Sequence, residues 1–329
     1  WTLLLALHAW TPGLVAQAGL GSVAASLFPD PGWFALTPQL EAFVASGHLD
    51  GASGTDAVAL SGQGDVVAGL AVLGDTFLSR AAEPTFIDVV DVRLHDLDGD
   101  GLGDLVLSGA GGVETRRSQG GGLFDQARLD AVGQELARFQ LGDLDGDGYA
   151  DLVAARRGDG DVTLLRGTAS TLWSPDERVE TGLSFALDLD VADVDGDGDL
   201  DLAVVDGVVP FGQGAVVVLA NDGAASFTGL AALTPSSLLA GPRHVALGDL
   251  TADGLPELVL ASPGQGSVAP AALTIQRNVG GAFMAPVPVK SLGGLRDVEL
   301  RDVDGDGLLD VFVDAASAAW HAGQGDGSL

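Results

Sequence analysis

The chain has no cysteine, and its 329 residues include one methionine and only 5% aromatic residues. Without cysteine, neither disulfide bonds nor thiolate metal sites can form. Basic residues are also scarce, since 15 lysines and arginines stand against 46 aspartates and glutamates, for a formal net charge of −31. Nucleic acids and anionic membranes are therefore poor partners. No apolar stretch reaches the roughly eighteen residues of a membrane-spanning helix, so we expect no membrane insertion.

The first residues have the pattern of an export signal that lacks its basic start. Residues 3–7 are apolar, Pro12 follows, and Ala16-Gln17-Ala18 is a small-x-small cleavage site. We therefore interpret residues 1–18 as a signal peptide remnant and residues 19–329 as the mature domain. This domain is expected to be secreted or displayed at the cell surface by a bacterial-type export route. The alternative is that residues 2–9 form a buried strand of a degenerate first repeat.

An acidic stretch that reads HDLDGDGLGDLVL at residues 95–107 recurs along the chain. The first acids of the five copies are Asp96, Asp143, Asp193, Asp249 and Asp302. Successive copies start 47 to 56 residues apart, and a weaker relative starts at His48. A period near fifty residues indicates an array of one supersecondary unit.

Each repeat predicts four short strands. Alternating apolar residues before the acids, such as Val92 and Leu94, indicate a first strand, and an unbroken apolar run after them indicates a strand covered on both faces. A third apolar segment and a Gly-rich turn follow. An aromatic residue is then expected to open the fourth strand, namely Phe77, Phe124, Trp173, Phe227 or Phe283. This order of four strand segments per repeat predicts an all-β fold, a β-propeller of four-stranded antiparallel blades.

Six repeats are visible, and we expect six or seven blades. The last repeat reaches Leu329 before its fourth strand, so we interpret the propeller as truncated at its C terminus. Residues 33–40 resemble an outer strand without a blade, and this strand would close the ring by pairing with the C-terminal blade. The alternative is that further blades follow Leu329.

The acidic stretch has the pattern D-x-D-x-D-G-x-x-D, with oxygen donors at positions 1, 3, 5 and 9 and a glycine at position 6 that permits a sharp turn. Calcium takes six to eight oxygen ligands in flexible geometry, whereas magnesium demands a stricter octahedron. Zinc is disfavoured because the loops contain neither cysteine nor histidine. An EF-hand would need a glutamate at position 12, where these loops carry apolar residues or alanine. The competing interpretation is an ordinary hairpin turn, but recurrence at one junction favours a metal loop.

At these loops the chain resembles the FG-GAP/VCBS repeat family, the blades of integrin-alpha-like propellers. The matching residues are the five loops, the V-x-L/V-x-D strand before them and the D-L-V strand after them, over roughly residues 33–329. The resemblance implies a β-propeller with calcium in the hairpin between the first two strands of each blade. The ligands that it implies are Asp96, Asp98, Asp100 and Asp104; Asp143, Asp145, Asp147 and Asp151; Asp193, Asp195, Asp197 and Asp201; and Asp302, Asp304, Asp306 and Asp310.

Two repeats depart from this pattern. A variant loop consists of Asp249, Thr251, Asp253 and Glu257, in which a hydroxyl replaces one carboxylate and predicts weaker binding. The repeat at His48 has lost two acids and the position-6 glycine, and only Asp50 and Asp56 remain, so we expect no metal there. The expected cofactor is therefore four or five calcium ions.

No catalytic constellation is evident, and we expect the protein not to be an enzyme. The five histidines have no evident nucleophile partner, and no G-x-S-x-G, H-E-x-x-H or P-loop pattern occurs. Asp88 and Asp91 lie outside the loops, and we interpret them as exposed strand residues rather than a glycosidase pair.

Short motifs and aromatic residues give weaker indications of a ligand. Arg157-Gly158-Asp159 is the tripeptide that animal integrins recognise, but in a chain rich in Gly and Asp we interpret it as a chance turn. Trp173, Trp320 and Tyr149 are candidate sugar-stacking platforms, although core packing is favoured for the tryptophans.

We therefore expect an exported calcium-binding β-propeller that acts as an adhesion or binding module for a protein or glycan ligand. The alternative is the propeller domain of a secreted carbohydrate-active enzyme, because such repeats also accompany or form polysaccharide-active enzymes.

Overall fold

The computed structural model describes residues 44–49, 56–60, 65–73, 76–79, 83–169, 172–207, 214–233, 241–262, 272–291, 297–302, 305–314 and 319–328. Residues 1–18, residues 33–40, Asp50 and Asp304 lie outside this part, so the predictions for them stay predictions. The described residues form strands, bridges, turns and bends and no helix, and none of them therefore belongs to a helix able to cross a membrane. The chain divides into two compact units, Trp1–Leu136 and Ala137–Leu329.

Two sheets occupy the first unit, and in both the first four strands pair in the order in which they occur in the chain, as predicted for a blade. Sheet 1 consists of β1 (Val44–Gly47), β2 (Asp56–Leu60), β3 (Asp65–Leu73) and β4 (Thr76–Ser79), with β5 (Glu83–Pro84) paired to β3. Sheet 2 consists of β6 (Asp88–His95), β7 (Asp104–Ala110), β8 (Gly112–Arg116) and β9 (Arg128–Asp130). Every pairing is antiparallel between neighbours in the chain, apart from the short β5.

Four further sheets follow along the chain. Sheet 3 contains β10 (Leu136–Gly142), β11 (Asp151–Arg156), β12 (Val162–Leu165) and β15 (Glu177–Val179), with a small hairpin of β13 (Gly167–Thr168) and β14 (Leu172–Trp173) before its last strand. Sheet 4 contains β16 (Ala186–Ala192), β17 (Asp201–Asp206), β18 (Val216–Asn221) and β19 (Phe227–Leu233). Sheet 5 contains β20 (His244–Gly248), β21 (Glu257–Ser262), β22 (Ala272–Gln276) and β25 (Val287–Ser291), with a hairpin of β23 (Asn278–Val279) and β24 (Ala282–Phe283). Sheet 6 has three described strands, β26 (Asp297–Arg301), β27 (Asp310–Asp314) and β28 (Ala319–His321).

The second strand is buried along nearly its whole length in sheets 2 to 5, as its unbroken apolar run predicts. In sheet 4, Leu202 and Val205 have no exposed surface, and β21 is buried along its whole length. Within each unit, apolar cores lie between sheets that are neighbours in the chain. One such core joins Val205 and Val218 of sheet 4 to Val245 and Leu260 of sheet 5. Full burial of one such side chain contributes roughly 1.5–3 kcal/mol.

The predicted fold class is confirmed, but the fourth strand does not always begin at the predicted aromatic residue. Phe77 and Phe227 lie in the fourth strands of sheets 1 and 4, as expected. Trp173 and Phe283 instead lie in the small hairpins β13–β14 and β23–β24, and Phe124 forms an isolated bridge with Ser118. The prediction was wrong for these three residues because, in these sheets, a separate short pairing follows the third strand and contains the aromatic residue, ahead of the fourth strand.

The two asparagines of the chain join neighbouring sheets of the second unit in the same way. Asn221, at the end of β18, donates from its side chain to the Leu144 carbonyl of the preceding sheet (2.7 Å). Asn278, at the start of β23, donates to the Val194 carbonyl of the sheet before it (2.8 Å). Both asparagines are at least 95% buried. Their side chains therefore attach the acidic loops of sheets 3 and 4 to the sheets that follow them.

We expect Asn221→Ala to lower the free energy of unfolding by about 1–3 kcal/mol, because it deprives the Leu144 and Leu200 carbonyls of a buried donor. Urea denaturation measures the change. The control is Gln324→Ala, which removes an exposed amide at a turn of sheet 6 and should cost less than about 0.5 kcal/mol. Equal effects of the two substitutions would contradict the bridging role of Asn221.

Candidate metal centres

The five acidic loops connect the first and second strands of sheets 2 to 6. Position 9 of each loop is the first residue of the second strand: Asp104, Asp151, Asp201, Glu257 and Asp310. The residue before position 1 pairs with position 9 in the antiparallel register, as Ala192 pairs with Asp201. The nine-residue loop is therefore the closed end of a hairpin whose two strands fix both ends of the acidic set.

The first carboxylate of each loop is bonded to the loop's own backbone. Asp143 accepts the N–H groups of Gly146 (2.8 Å), Asp147 (3.1 Å) and Gly148 (3.0 Å). The corresponding acceptors in the other loops are Asp96, Asp193, Asp249 and Asp302. These bonds hold the loop in its turn conformation with its charged oxygens already gathered.

The turn requires a left-handed backbone at two positions. Gly146 and Gly148 have φ angles of 73° and 88°, and the glycines at positions 4 and 6 of the other D-G-D-G loops are similar. In the variant loop, Ala252 takes position 4 with a φ of 55°, a conformation that costs a residue with a Cβ about 1–2 kcal/mol. The variant loop is therefore strained as well as short of one carboxylate.

The ninth acid bonds both to the loop and to the chain at the end of the third strand. Asp151 has no exposed surface, and its Oδ2 accepts the N–H of Leu144 at position 2 of the loop (2.8 Å). Its Oδ1 accepts the N–H of Gly167, just beyond the third strand (2.7 Å). The same pair of bonds recurs at Asp104, Asp201 and Glu257, and Asp310 makes the second of them to Gly323. The ninth acid thus connects the loop, the second strand and the third strand.

The bond from the ninth acid to position 2 also exists where the acids at positions 1 and 5 have been lost. In the repeat at His48, the buried Asp56 accepts the N–H of Leu49 at 2.7 Å. That repeat has alanine and serine at positions 5 and 6. The ninth acid therefore has a structural role that does not depend on a metal.

Three of the loops bring together carboxylate oxygens that fit a hard cation. One oxygen from each of three acids lies within 4.8 Å of the others, in the sets Asp96, Asp98 and Asp104; Asp143, Asp145 and Asp151; and Asp193, Asp195 and Asp197. All the donors are carboxylate oxygens, the ligand type that calcium prefers. Among the described residues, no comparable trio of acids forms at Asp249, where Thr251 occupies position 3. The predicted ligand Asp304 of the loop at Asp302 lies outside the described part.

Burial disfavours the ionised form of four ninth carboxylates. It raises the pKa of Asp104 and of Asp151 to about 6, and repulsion by the third and fifth acids adds to the rise, although the backbone N–H bonds act in the opposite direction. Burial also raises the pKa of Asp201 and of Glu257. A cation held between the loop oxygens would favour the ionised form of these groups.

A second charged cluster lies on the first strands and was not predicted. It is built from residues five places before the first acid, and in the second unit these are Arg138, Asp188, His244 and Asp297. Arg138 donates to both carboxylate oxygens of Asp297 (2.8 and 2.6 Å), and His244 Nδ1 lies 3.2 Å from Asp188. Asp188, His244 and Asp297 could geometrically ligate a metal, but both oxygens of Asp297 already accept hydrogen bonds from a cation. The cluster is therefore an ion-paired clamp between sheets.

The same repeat position in sheet 2 corrects an interpretation of the sequence. Asp91 is 3% exposed and accepts the N–H of Val92, so it is not an exposed strand residue, whereas Asp88 is exposed as expected. Burial of Asp91 follows from its place on a first strand at the −5 position. The repeat period of the sequence contained this signal, since the −5 residue of all five loop-bearing repeats is Asp, Arg or His.

The aromatic residues considered as sugar-stacking platforms differ in their exposure to solvent. Trp173 is 2% exposed and belongs to the core, as favoured from the sequence, while Tyr149 is 36% exposed at position 7 of its loop. The side chain of Trp320 lies outside the described part. Asp159 of the Arg-Gly-Asp tripeptide is paired with Arg156 at 2.9 Å, and the arginine hydrogen bonds hold its pKa below the usual range although partial burial opposes them. Its carboxylate is thus occupied within its own sheet.

Residues 96–154, 143–204 and 249–313 match the FG-GAP-like repeat family, and each match runs from the first acid of one loop to position 12 of the next. Together the matches cover more than half of the chain. No curated protein matched in a sequence comparison. Because the loops, their flanking strands and the spacing all agree with this family, the protein belongs to the FG-GAP-like repeat proteins.

Solved structures share the fold at low sequence identity. One is a lectin of Agrocybe aegerita, described for its specific recognition of non-reducing terminal N-acetylglucosamine, with a TM-score of 0.64, 21% identity, and coverage of 87% of this chain and 78% of that chain. Another is BBS1N in complex with ARL6DN, with a TM-score of 0.58, 10% identity, and coverage of 82% and 74%. The chain is a member of the FG-GAP-like repeat family with the fold of a β-propeller.

Proposed function

We propose that this protein is an exported β-propeller that is stabilised by calcium and binds a glycan or protein ligand without catalysing a reaction. The observation that supports calcium most directly is the convergence of three carboxylate oxygens within 4.8 Å in loops that their own backbone N–H groups already hold in shape. Such loops need no large rearrangement to receive a hard cation.

In the loop of sheet 4, Asp193, Asp195 and Asp197 would hold calcium directly, and Asp201 would contribute from the buried side. When bound, the ion supplies positive charge between acids that otherwise repel one another. The chain's own residues fix the position of these acids: Asp193 through the N–H groups of the turn, and Asp201 through its two bonds to neighbouring strands.

Binding of a glycan is supported by the fold and by the charge of the chain. A propeller of FG-GAP-like repeats shares its fold with a lectin, which makes a binding module the natural role. A net charge of −31 repels anionic ligands such as nucleic acids and acidic polysaccharides. We therefore propose neutral glycans as the ligand class, with glycans ending in N-acetylglucosamine as the first probes.

Removal of calcium should destabilise the protein sharply. A ligand that binds only the folded state adds about 2.7 kcal/mol per site at a hundredfold excess over its Kd, so several sites rival the roughly 5–15 kcal/mol stability of a domain. We expect a chelator to lower the melting temperature and Asp195→Ala to reduce the bound calcium by one ion, as measured by elemental analysis after dialysis.

Asp199→Ala is the matched control, because it removes an acid at position 7 of the same loop, where only the backbone carbonyl is a candidate ligand. The calcium content of this variant should equal that of the unmodified protein. If a chelator leaves the melting temperature unchanged and no calcium remains after dialysis, the loops are ordinary turns.

Binding of glycans should be detectable without turnover. We expect the calcium-loaded chain to bind neutral glycans on an array and to release no product from the same glycans in solution, as followed by mass spectrometry. Cleavage of a bound glycan would support the carbohydrate-active alternative. Absence of binding to every glycan, together with capture of a protein ligand, would leave a protein-binding module.

A further inference from the structure

Five residues occupy one structural position beside the loops, which we call the flanking position. Each immediately precedes the residue whose backbone N–H bonds to the ninth acid. The flanking residues of sheets 2 to 6 are Arg117, Arg166, Ala220, Arg277 and Ala322. Sheets 2, 3 and 5 therefore have an arginine beside the loop, and sheets 4 and 6 have an alanine.

In all three arginine-bearing sheets the guanidinium approaches an acid of its own loop. Arg166 Nη1 donates to Oδ2 of Asp145 at 3.0 Å. Arg117 lies 3.6 Å from a carboxylate oxygen of Asp98, and Arg277 lies 3.8 Å from one of Asp253. The acids contacted are at positions 3, 3 and 5, all of them predicted calcium ligands.

Arg166 of sheet 3, which makes the shortest of these contacts, also has hydrogen-bond partners outside the loop. The Arg166 guanidinium donates to Glu177 at 3.0 Å and to the Ala224 carbonyl of the next sheet at 2.9 Å. The side chain is three-quarters buried. Arg166 can therefore give up Asp145 and keep two other acceptors, so its displacement from the loop leaves no buried guanidinium without a partner.

We propose that the flanking arginines compete with calcium for the loop carboxylates and thereby grade the affinities of the five loops. This inference rests on the proposed calcium binding. The loops at Asp193 and Asp302, beside Ala220 and Ala322, bind calcium most tightly. The loop at Asp143 binds it more weakly, because the ion must displace Arg166 from Asp145 or tolerate its charge nearby.

The physical basis is the charge that each loop contains before calcium arrives. A guanidinium next to a carboxylate neutralises part of the repulsion among the loop acids, which stabilises the metal-free loop. The binding free energy of calcium is then less favourable, because the arginine already neutralises part of the repulsion that the ion would otherwise relieve. The same arginine therefore stabilises the metal-free loop and lowers the affinity of the loop for calcium.

Titration calorimetry of calcium into chelator-stripped full chain tests the proposal. We expect Arg166→Ala to tighten one class of sites by about three- to tenfold, and the reciprocal Ala220→Arg to weaken another class by a similar factor. The matched control is Arg178→Ala, which removes the same charge from sheet 3 but contacts Asp159 and Asp161 instead of a loop. Its calcium affinities should stay within about twofold of the unmodified protein, since salt screens distant charges.

A double-substitution cycle assigns the effect to one loop. In an Asp143→Ala background, where this loop has lost its first ligand, Arg166→Ala should no longer change any affinity. A purely structural role of Arg166 predicts the opposite outcome, a loss of calcium affinity in the single variant. Arg166→Gln serves as the second variant if the alanine variant does not fold.

The possible failures are distinguishable. If calcium binds but Arg166→Ala leaves its affinity unchanged or weaker, the competition proposal is overturned and the proposed calcium binding stands. If no calcium binds to the unmodified chain, both are overturned.

Discussion

The double hydrogen bond of the ninth acid is the interaction on which the rest of each blade depends. A carboxylate with no access to water, such as that of Asp151, has to satisfy its oxygens within the protein. It does so by accepting the N–H of Leu144 in the loop and of Gly167 beyond the third strand. These bonds set the end of the hairpin and the start of the next turn, and the loop then presents its remaining acids around one point.

Other acids of the sheets and loops carry an electrostatic cost that the protein offsets with cations. Arg138 offsets the carboxylate of Asp297 on the first strands, and Arg166 offsets Asp145 beside a loop. In sheet 4 the flanking residue is alanine, and the three acids that converge there accept backbone N–H groups of their own loop. The proposed calcium ion would have at this loop the role that arginine has within the sheets.

The sequence predicted the repeat, the first two strands of each blade, the hairpin position of the loops and the acids that converge in three of them, because all of these follow from local patterns at a fixed offset from the first acid. It did not predict Arg166 as a neighbour of Asp145, since the stretch between the ninth acid and the flanking position varies in length from sheet to sheet. The hairpin that contains Trp173 was missed for a similar reason. Cross-sheet contacts such as that of Asn221 with Leu144 depend on tertiary packing, which no local pattern encodes.

Amide hydrogen exchange with and without calcium tests most directly whether the ninth acid braces the loop independently of the metal. The account predicts that the position-2 amides, bonded to ninth acids, stay as protected in chelator as strand amides do. These amides belong to Leu49, Leu97, Leu144, Val194 and Leu250. Leu49 is the internal reference, because its repeat has lost two of the four metal acids. Loss of protection at the other four on chelation, with Leu49 unchanged, would contradict the account and make calcium the origin of the brace.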